Sequence, residues 1–464
     1  MGWPKAAVRS RGGYQWVLVA LDLMVIGVVL AVLHAWEPAG EFSRLESGGA
    51  LAIVIAAWLI NLFLHGEYTL HPERSWPLEA SVFCRALVAG TVSAAGIGVL
   101  LPGSPLLGPL TYLVATAALL PLLLVVRRLA LRAVPRQTLS HRYLVLTDGA
   151  ATQSFWKSLT ASSLPRFVEI VGSVPVNGGV QGPALAGLPR LGAMDALPEL
   201  VKTNGVQTVI LGGTHELAGE EIHRLLECQE KGVRVISAFA AHEEITRRTP
   251  LMIHPAAAEE SLGSVQHSKY ATRLKRVMDV AATLCLLPIG LPLMALAALA
   301  VLLSDGFPIL YRQERVGEDR RPFMLLKIRT MVRDAEAKTG PVWASEGDPR
   351  ITPVGRFLRA TRLDELPQLV NVLRGDMSLV GPRPERPAFV DQFLRKIPYY
   401  EQRLLIRPGL TGWAQVNHTY DRDEDDVYEK LRYDLYYLRH LSFSLDLQIL
   451  LATVGVVCKC SGAH

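Results

Sequence analysis

The sequence predicts an α-helical membrane bundle, then an α/β Rossmann-like module, then a mixed, mainly α, membrane-associated domain with a re-entrant helix. Three observations predict it. The first quarter of the chain holds four apolar stretches of nearly membrane-spanning length, the middle alternates short β-branched runs with helical patterns, and a fifth apolar stretch is interrupted by two prolines between basic flanks. Half of the 464 residues are apolar, the mean hydropathy is +0.25 and the net charge is +5. That hydropathy is high for a fully water-soluble chain and suits membrane-embedded helices joined to water-facing domains.

The four early stretches run from Tyr14 to Leu33, Gly49 to Leu64, Val82 to Leu101 and Leu106 to Val126. Each is close to the ~20 residues that a spanning helix needs. Lys5, Arg9 and Arg11 precede the first, and Arg127, Arg128, Arg132 and Arg136 follow the fourth. The connections after the first and third stretches carry Arg44 alone or no Lys or Arg. Basic residues stay on the cytoplasmic side, so residues 1–136 read as four crossings with both ends inside. The first apolar run is too long for a cleavable signal peptide and lacks a small-residue cleavage site. Asp22, inside the first span, reads as a carboxylate that reaches the interface or a neighbouring helix. Cysteines 84, 228, 285, 458 and 460 show no paired metal-type spacing and no disulfide framework, and read as small packing residues.

Residues 137–260 read as a cytoplasmic α/β module. The runs "YLVLTD", "VEIVGSV", "TVILGG" and "VRVISA" are separated by helical patterns at Ala196 to Thr203 and Leu217 to Gly232, an alternation that implies a parallel sheet. The first strand-to-turn junction, "VLTDGAATQSFW", lacks the Gly-x-Gly-x-x-Gly that brings a backbone close to a pyrophosphate. The module therefore reads as an assembly or regulatory unit without a dinucleotide site. Glu259 to Ala271 reads as a polar linker leading into the last domain, 261–464.

The fifth stretch, Val280 to Leu303, is long enough to cross a bilayer. Pro288 and Pro292 stand near its middle, where each removes a helix hydrogen bond. Lys275 and Arg276 precede it; Arg312, Arg315, Arg320, Arg321, Lys327 and Arg329 follow. A crossing would put one basic group outside, whereas a helix-break-helix over 277–304 that enters and leaves by one face keeps both inside. The domain after it then lies on the inner leaflet. Tyr433 to Cys458 suits amphipathic helices in the headgroup zone or packing into the domain's own core.

The stretch "LDELPQLVNVLRGDMSLVGPRPERP" carries the chemistry. Leu363, Leu366, Leu369, Val370 and Leu373 fall at helical spacing, which places Asp364 and Glu365 in a first helical turn. Unpaired N–H groups there favour ionised carboxylates and receive phosphate. Successive residues diverge by ~100°, so one acid can face a reacting phosphorus while the other holds a divalent cation. Arg359 and Arg362 precede the pair, prolines stiffen the loop around Arg383 and Arg386, Lys327 and Arg329 lie in a strand-like run, and Arg407 adjoins a Pro-Gly turn. Arginine forks match phosphate oxygens.

From about Lys275 to His464 the chain resembles the bacterial sugar transferases, the monotopic phosphoglycosyl transferases. The resemblance rests on "KRVMDV", the Pro-broken apolar segment, "YRQERVG", "LLKIRTM", "DPRITPVGRFLRATRLDELPQLVNVLRGDMSLVGPRP", "RPGLTGWAQVN" and "YDLYYLRHLSFSLDLQIL". The earlier regions resemble the larger subgroup, which starts exopolysaccharide, capsule or O-antigen repeat units. The resemblance implies transfer of a sugar 1-phosphate, with glucose or galactose the leading sugars, from a UDP-sugar to undecaprenyl phosphate, with release of UMP. It implies Asp364 as nucleophile, Glu365 as a ligand of Mg²⁺, and Lys327, Arg329, Arg359, Arg383 and Arg407 as holders of phosphate. It further implies the cytoplasmic face of a bacterial inner membrane, contact with its lipids and a homodimer. Nucleic acid is not an expected partner. Some members have Ser before the helix-breaking proline; here Leu291 precedes Pro292. Two other classes compete: a membrane-bound NAD-dependent sugar-nucleotide dehydratase, which the missing glycine fingerprint opposes, and a transporter, which would not need the Asp-Glu constellation.

Overall fold

The computed structural model describes residues 18–29, 48–64, 83–93, 119, 121–129, 140–147, 150–161, 164–165, 168–176, 185, 187–212, 218–251, 269–333, 335, 348–418 and 424–458. The chain divides into two compact units, Met1–Thr246 and Arg247–His464. The expected boundary at 136/137 and most of the linker from Glu259 to Ala271 lie outside the described residues.

In the first unit, α1 (Leu18–Val29), α2 (Gly48–Leu64), α3 (Phe83–Ser93) and α4 (121–129) are the described parts of the four early apolar stretches. Polar groups among them meet each other, as buried polar groups must. Asp22, fully buried, accepts from Arg127 Nη2 at 2.6 Å, so the carboxylate of α1 meets a cation of α4. Trp58 Nε1 donates to Thr91 Oγ1 at 3.1 Å, and Asn61 Nδ2 to Ser93 Oγ at 3.3 Å, joining α2 to α3.

The four β-branched runs form β1 (His141–Thr147), β2 (Val168–Pro175), β3 (Thr208–Leu211) and β4 (Arg234–Ser237). They make one parallel sheet in the order β2-β1-β3-β4, as the alternation predicts. Helices α5 (Ala150–Thr160), α6 (Leu197–Thr203), α7 (Gly219–Glu230) and α8 (Ala238–Thr246) alternate with the strands. Leu144, Leu146, Val174, Leu197, Val209 and Cys228 are core residues between sheet and helices. The order reverses between β1 and β3, where an open sheet of this kind has its crevice; the adjoining turns, 148–149 and 213–217, lie outside the described residues.

The second unit opens with α9 (Lys269–Asp305), whose residues 273–305 are, among the described residues, the one helix long and apolar enough to cross a membrane. Its inner stripe, Asp279, Thr283, Leu287, Gly290, Met294, Ala297 and Val301, repeats every three or four residues and packs on the unit's core. Leu284, Leu286, Ile289, Leu291, Leu293, Leu296, Leu299 and Leu303 face outward, exposed. The expected helix-break-helix is corrected in one respect, because α9 continues through both Pro288 and Pro292. Both prolines stand on the exposed side. A proline ring crowds the carbonyl four residues earlier, so strain opens outward and the inner stripe stays continuous.

Arginines fasten both ends of α9 to the same unit. Arg276 donates to Val372 O at 2.5 Å and Leu373 O at 2.8 Å, adding donors at the end carbonyls of α11 (Gln368–Arg374). Asp279 Oδ1 accepts from Leu379 N at 3.2 Å, and Lys275 pairs with Asp446 at 2.7 Å. At the other end, Arg329 Nη2 donates to Asp305 O at 2.8 Å and Gly306 O at 2.9 Å.

The hairpin β5 (Leu310–Val316) and β6 (Pro322–Ile328) is followed by α10 (Pro353–Ala360), α11, β7 (Ser378–Val380), α12 (Pro387–Lys396), β8 (Gly409–Thr411), α13 (Trp413–Asn417), α14 (Glu424–Arg439) and α15 (Phe443–Cys458). Of the two readings offered for Tyr433 to Cys458, core packing describes Leu435, Tyr436, Tyr437, Leu438, Leu445 and Ile449, all buried in the unit's hydrophobic clusters.

Buried Asn371 acts in place of a third strand beside β6. Its Oδ1 accepts from Leu326 N at 3.1 Å and its Nδ2 donates to Met324 O at 2.8 Å, so α11 is locked to the strand that carries Lys327. Asn371→Leu keeps the branched shape but leaves these backbone groups unpaired. A loss of about 2 kcal/mol is expected, read as a lower denaturant midpoint with Asn371→Asp as the comparison.

Candidate active site

Three local structures bring the site together. Thr352 caps α10, its Oγ1 accepting from Gly355 N at 3.0 Å, and Pro353 supplies the fixed φ of a first helical position. Gly355 lies so close to Thr330 that a Cβ would stand 2.1 Å from its carbonyl oxygen, which seats α10 against the segment after β6. Arg362, at φ +59°, then turns the chain left-handed.

Asp364 and Glu365 lie in the 3-10 turn Leu363–Glu365, ahead of α11 rather than in its first turn, which corrects the sequence expectation. Pro367 has no N–H to return to Leu363 O, so the α-helical ladder cannot extend back over the acids. Leu366 N instead reaches Leu363 O at 3.3 Å, and Val370 N reaches Pro367 O at 3.1 Å, both in 3-10 fashion.

The two acids are both buried, Asp364 at 5% and Glu365 at 8% exposure, but their surroundings differ. Glu365 Oε1 is a hub: Arg383 Nη2 is 3.1 Å away, Lys327 Nζ 3.4 Å and Arg362 Nη1 3.6 Å. Asp364 Oδ1 is buried without a hydrogen-bond partner. Arg362 and Arg383 are about one-third exposed, so the acids lie one layer of cations beneath the surface.

That contrast separates their protonation. Burial pushes Asp364 above the usual carboxylate range, and the Glu365 charge adds to the rise against the pull of Lys327, Arg359 and Arg362. Burial pushes on Glu365 too, but Arg383, Lys327 and Arg362 outweigh it and hold it well below that range. Adjacent carboxylates whose environments push them apart take different roles. Burial also lowers the Lys327 ammonium, with Glu365 opposing.

The cations predicted for phosphate divide. Lys327 and Arg383 meet Glu365 directly. Arg359 donates from Nε to Thr330 Oγ1 at 2.9 Å and is one of the positive charges acting on Asp364. Arg329 is drawn to the carbonyls at the end of α9, because a buried guanidinium goes where acceptors lack donors. Arg407 pairs with Glu318 at 3.1 Å and borders a pocket with Lys275, Arg276 and Ser378. The structure brings neither Arg329 nor Arg407 to the acid pair through any hydrogen bond or ion pair among the described residues. Arg362, noted in the sequence only as a neighbouring cation, is the third charge on Glu365.

Residues 270–460 match the family model described as bacterial sugar transferase. The UDP-glucose:undecaprenyl-phosphate glucose-1-phosphate transferase of Caulobacter vibrioides is 47% identical over 192 residues, covering 41% of this chain and 72% of that one. The chain belongs to the bacterial sugar transferase family. It is also similar to the UDP-galactose-lipid carrier transferase of Erwinia amylovora, 30% identical over 338 residues and 69% of each chain. Its likeness to the UDP-N-acetylgalactosamine-undecaprenyl-phosphate N-acetylgalactosaminephosphotransferase of Aeromonas hydrophila is 40% over 250 residues. That match spans 54% of this chain and 58% of the relative's length.

In this bacterial sugar transferase the glycines of "GPRP" and "RPGLTG" have a structural reason. β7 and β8 pair in parallel, and a Cβ on Gly409 would stand 2.1 Å from Gly381 N, one on Gly412 2.2 Å from Gly381 O. Backbone meets backbone there, which leaves no room for a side chain. The contact fixes where the loop carrying Arg383 leaves β7.

Proposed function

We propose that this chain transfers a sugar 1-phosphate from a UDP-sugar to undecaprenyl phosphate, releasing UMP, at the cytoplasmic face of a bacterial inner membrane. The observation that carries the reading is Asp364 Oδ1, a buried carboxylate oxygen with no hydrogen-bond partner beside cations of four residues, Lys327, Arg359, Arg362 and Arg383. Asp364 attacks the β-phosphorus; a new P–O bond forms as the bond to UMP breaks, and UMP leaves with the electron pair. An oxygen of undecaprenyl phosphate then attacks the same phosphorus and expels the Asp364 carboxylate. One hard displacement becomes two easier ones.

Lys327, Arg359, Arg362 and Arg383 hold the donor diphosphate in the first step and the transferred and lipid phosphates in the second. The donor set suits Mg²⁺, which takes one or two carboxylates together with substrate oxygens; among the described residues no three His, Cys, Asp or Glu cluster into a site built by protein alone. Glu365 would hold the ion, which would neutralise charge on the departing phosphate.

In this reading α9 is re-entrant, bending at Pro288 and Pro292 while its helix stays unbroken. Its outward leucines lie in lipid, and its two ends, fastened by Arg276 and Arg329 to one water-facing unit, stay on the cytoplasmic side. The product would open the assembly of an exopolysaccharide, capsule or O-antigen unit. The relatives' names carry glucose, galactose and N-acetylgalactosamine, so the deciding assay is UMP release by purified protein with Mg²⁺, undecaprenyl phosphate and a panel of UDP-sugars. Turnover with one of the three is the expected result. No UMP from any UDP-sugar refutes the reading.

A further inference from the structure

The loop Gly381 to Arg386 has no regular secondary structure, yet each of four consecutive carbonyls has its own donor. Pro382 O accepts from Gly409 N at 2.8 Å, and Glu385 O from Val316 N at 3.0 Å. Arg383 O accepts from Arg403 Nη2 at 3.0 Å, and Pro384 O from Arg315 Nη1 at 2.9 Å. Prolines 382, 384 and 387 fix φ and remove their own N–H groups, so neighbouring segments hold this loop chiefly through its carbonyls.

Arg403 holds the residue that matters most. It is 6% exposed, its Nη2 lies 2.9 Å from Asp434 Oδ2, itself 2% exposed, and its Nη1 donates to Tyr400 Oη at 2.8 Å. A buried ion pair is weak support for stability, because desolvation offsets the attraction and a well-packed apolar pair often serves as well. What the apolar pair lacks is a donor for Arg383 O. From there the chain of contacts runs through Arg383 to Glu365 Oε1 at 3.1 Å.

We infer that Arg403, held by Asp434, is a positioning residue for the transfer reaction: it fixes the backbone of Arg383 so that its guanidinium meets Glu365 and the donor diphosphate. The inference rests on the proposed function for the diphosphate but not for the Arg403 to Arg383 tie. Arg403 itself makes no hydrogen bond or ion pair to either site acid among the described residues.

The test replaces both buried charges at once, Arg403→Met with Asp434→Leu, in the full-length protein, alone and combined with Arg383→Ala. The expected result is a melting temperature at or above that of the parent, with KM for the UDP-sugar raised on the order of tenfold. In the Arg383→Ala background the pair of substitutions is expected to add nothing further, since the group it positions is gone. An unchanged KM, or effects that add in full, overturns the inference. Should the double variant melt lower, Arg403→Lys is carried through the same cycle, and additivity there overturns the inference equally. Calorimetric binding of UDP to the same proteins separates the two ideas. A parent that binds UDP but releases no UMP sinks the proposed reaction, while loss of UDP affinity in the variant still supports the positioning role.

Discussion

Asp364→Asn is expected to slow UMP release by roughly 10⁶-fold, the scale on which loss of a covalent nucleophile falls, while leaving the protein folded. With radiolabelled UDP-sugar alone, label should stay on the parent protein and be absent from the variant. Equal labelling of both would remove Asp364 from the nucleophile's role. The substitution should also stabilise. Burial raises Asp364, so between the unfolded and folded values the folded state binds more protons, and stability falls as pH rises through that window. At neutral pH the native carboxylate is therefore a liability, and Asn, neutral at every pH, relieves it. A melting temperature at or above the parent's at pH 7, with the difference shrinking toward pH 4, is the expected outcome.

Glu365→Gln should act in the opposite sense on stability. It leaves Lys327, Arg362 and Arg383 facing one another without the carboxylate that joins them. Removing one partner of a buried ion pair costs several kcal/mol; with Arg362 and Arg383 one-third exposed, water screens part of this, and about 3 kcal/mol is expected. The sign again follows from linkage. Arg383 and its neighbours hold Glu365 low against burial, so its contribution is present above the unfolded value of about 4.3 and is lost as pH falls below it. Chemical denaturation of parent and variant at pH 7 and pH 4 reads this, the gap narrowing in acid. Adjacent acids with opposite effects on stability would separate their roles without any substrate.

Much of the fold was legible because burial writes itself into residue type. The four β-branched runs became β1 to β4, and their alternation with helices gave a parallel sheet. The acid pair and its basic neighbours were legible as well, since Lys327 and Arg383 converge on Glu365. The position of the acids relative to α11 was not. A leucine at every third or fourth place suits a 3-10 turn followed by a helix as well as one helix, and only the missing N–H of Pro367 separates them. Arg329 and Arg407 show a different limit: sequence reveals a cation, but whether it meets phosphate, a helix-end carbonyl or Glu318 depends on acceptors far along the chain. Arg362 adopts a backbone conformation that glycine or asparagine would have signalled, and arginine gives no such sign.

The leucines on the outer side of α9 decide how this protein can be handled. Cutting away residues 1–246 would discard the four early apolar helices, yet what is left keeps the long greasy outer strip of α9. Such a strip self-associates in water. The shortened polypeptide should therefore follow the surfactant-rich layer in phase partitioning, and a truncation made to gain solubility would fail unless Leu284, Ile289, Leu296 and Leu303 were made polar as well.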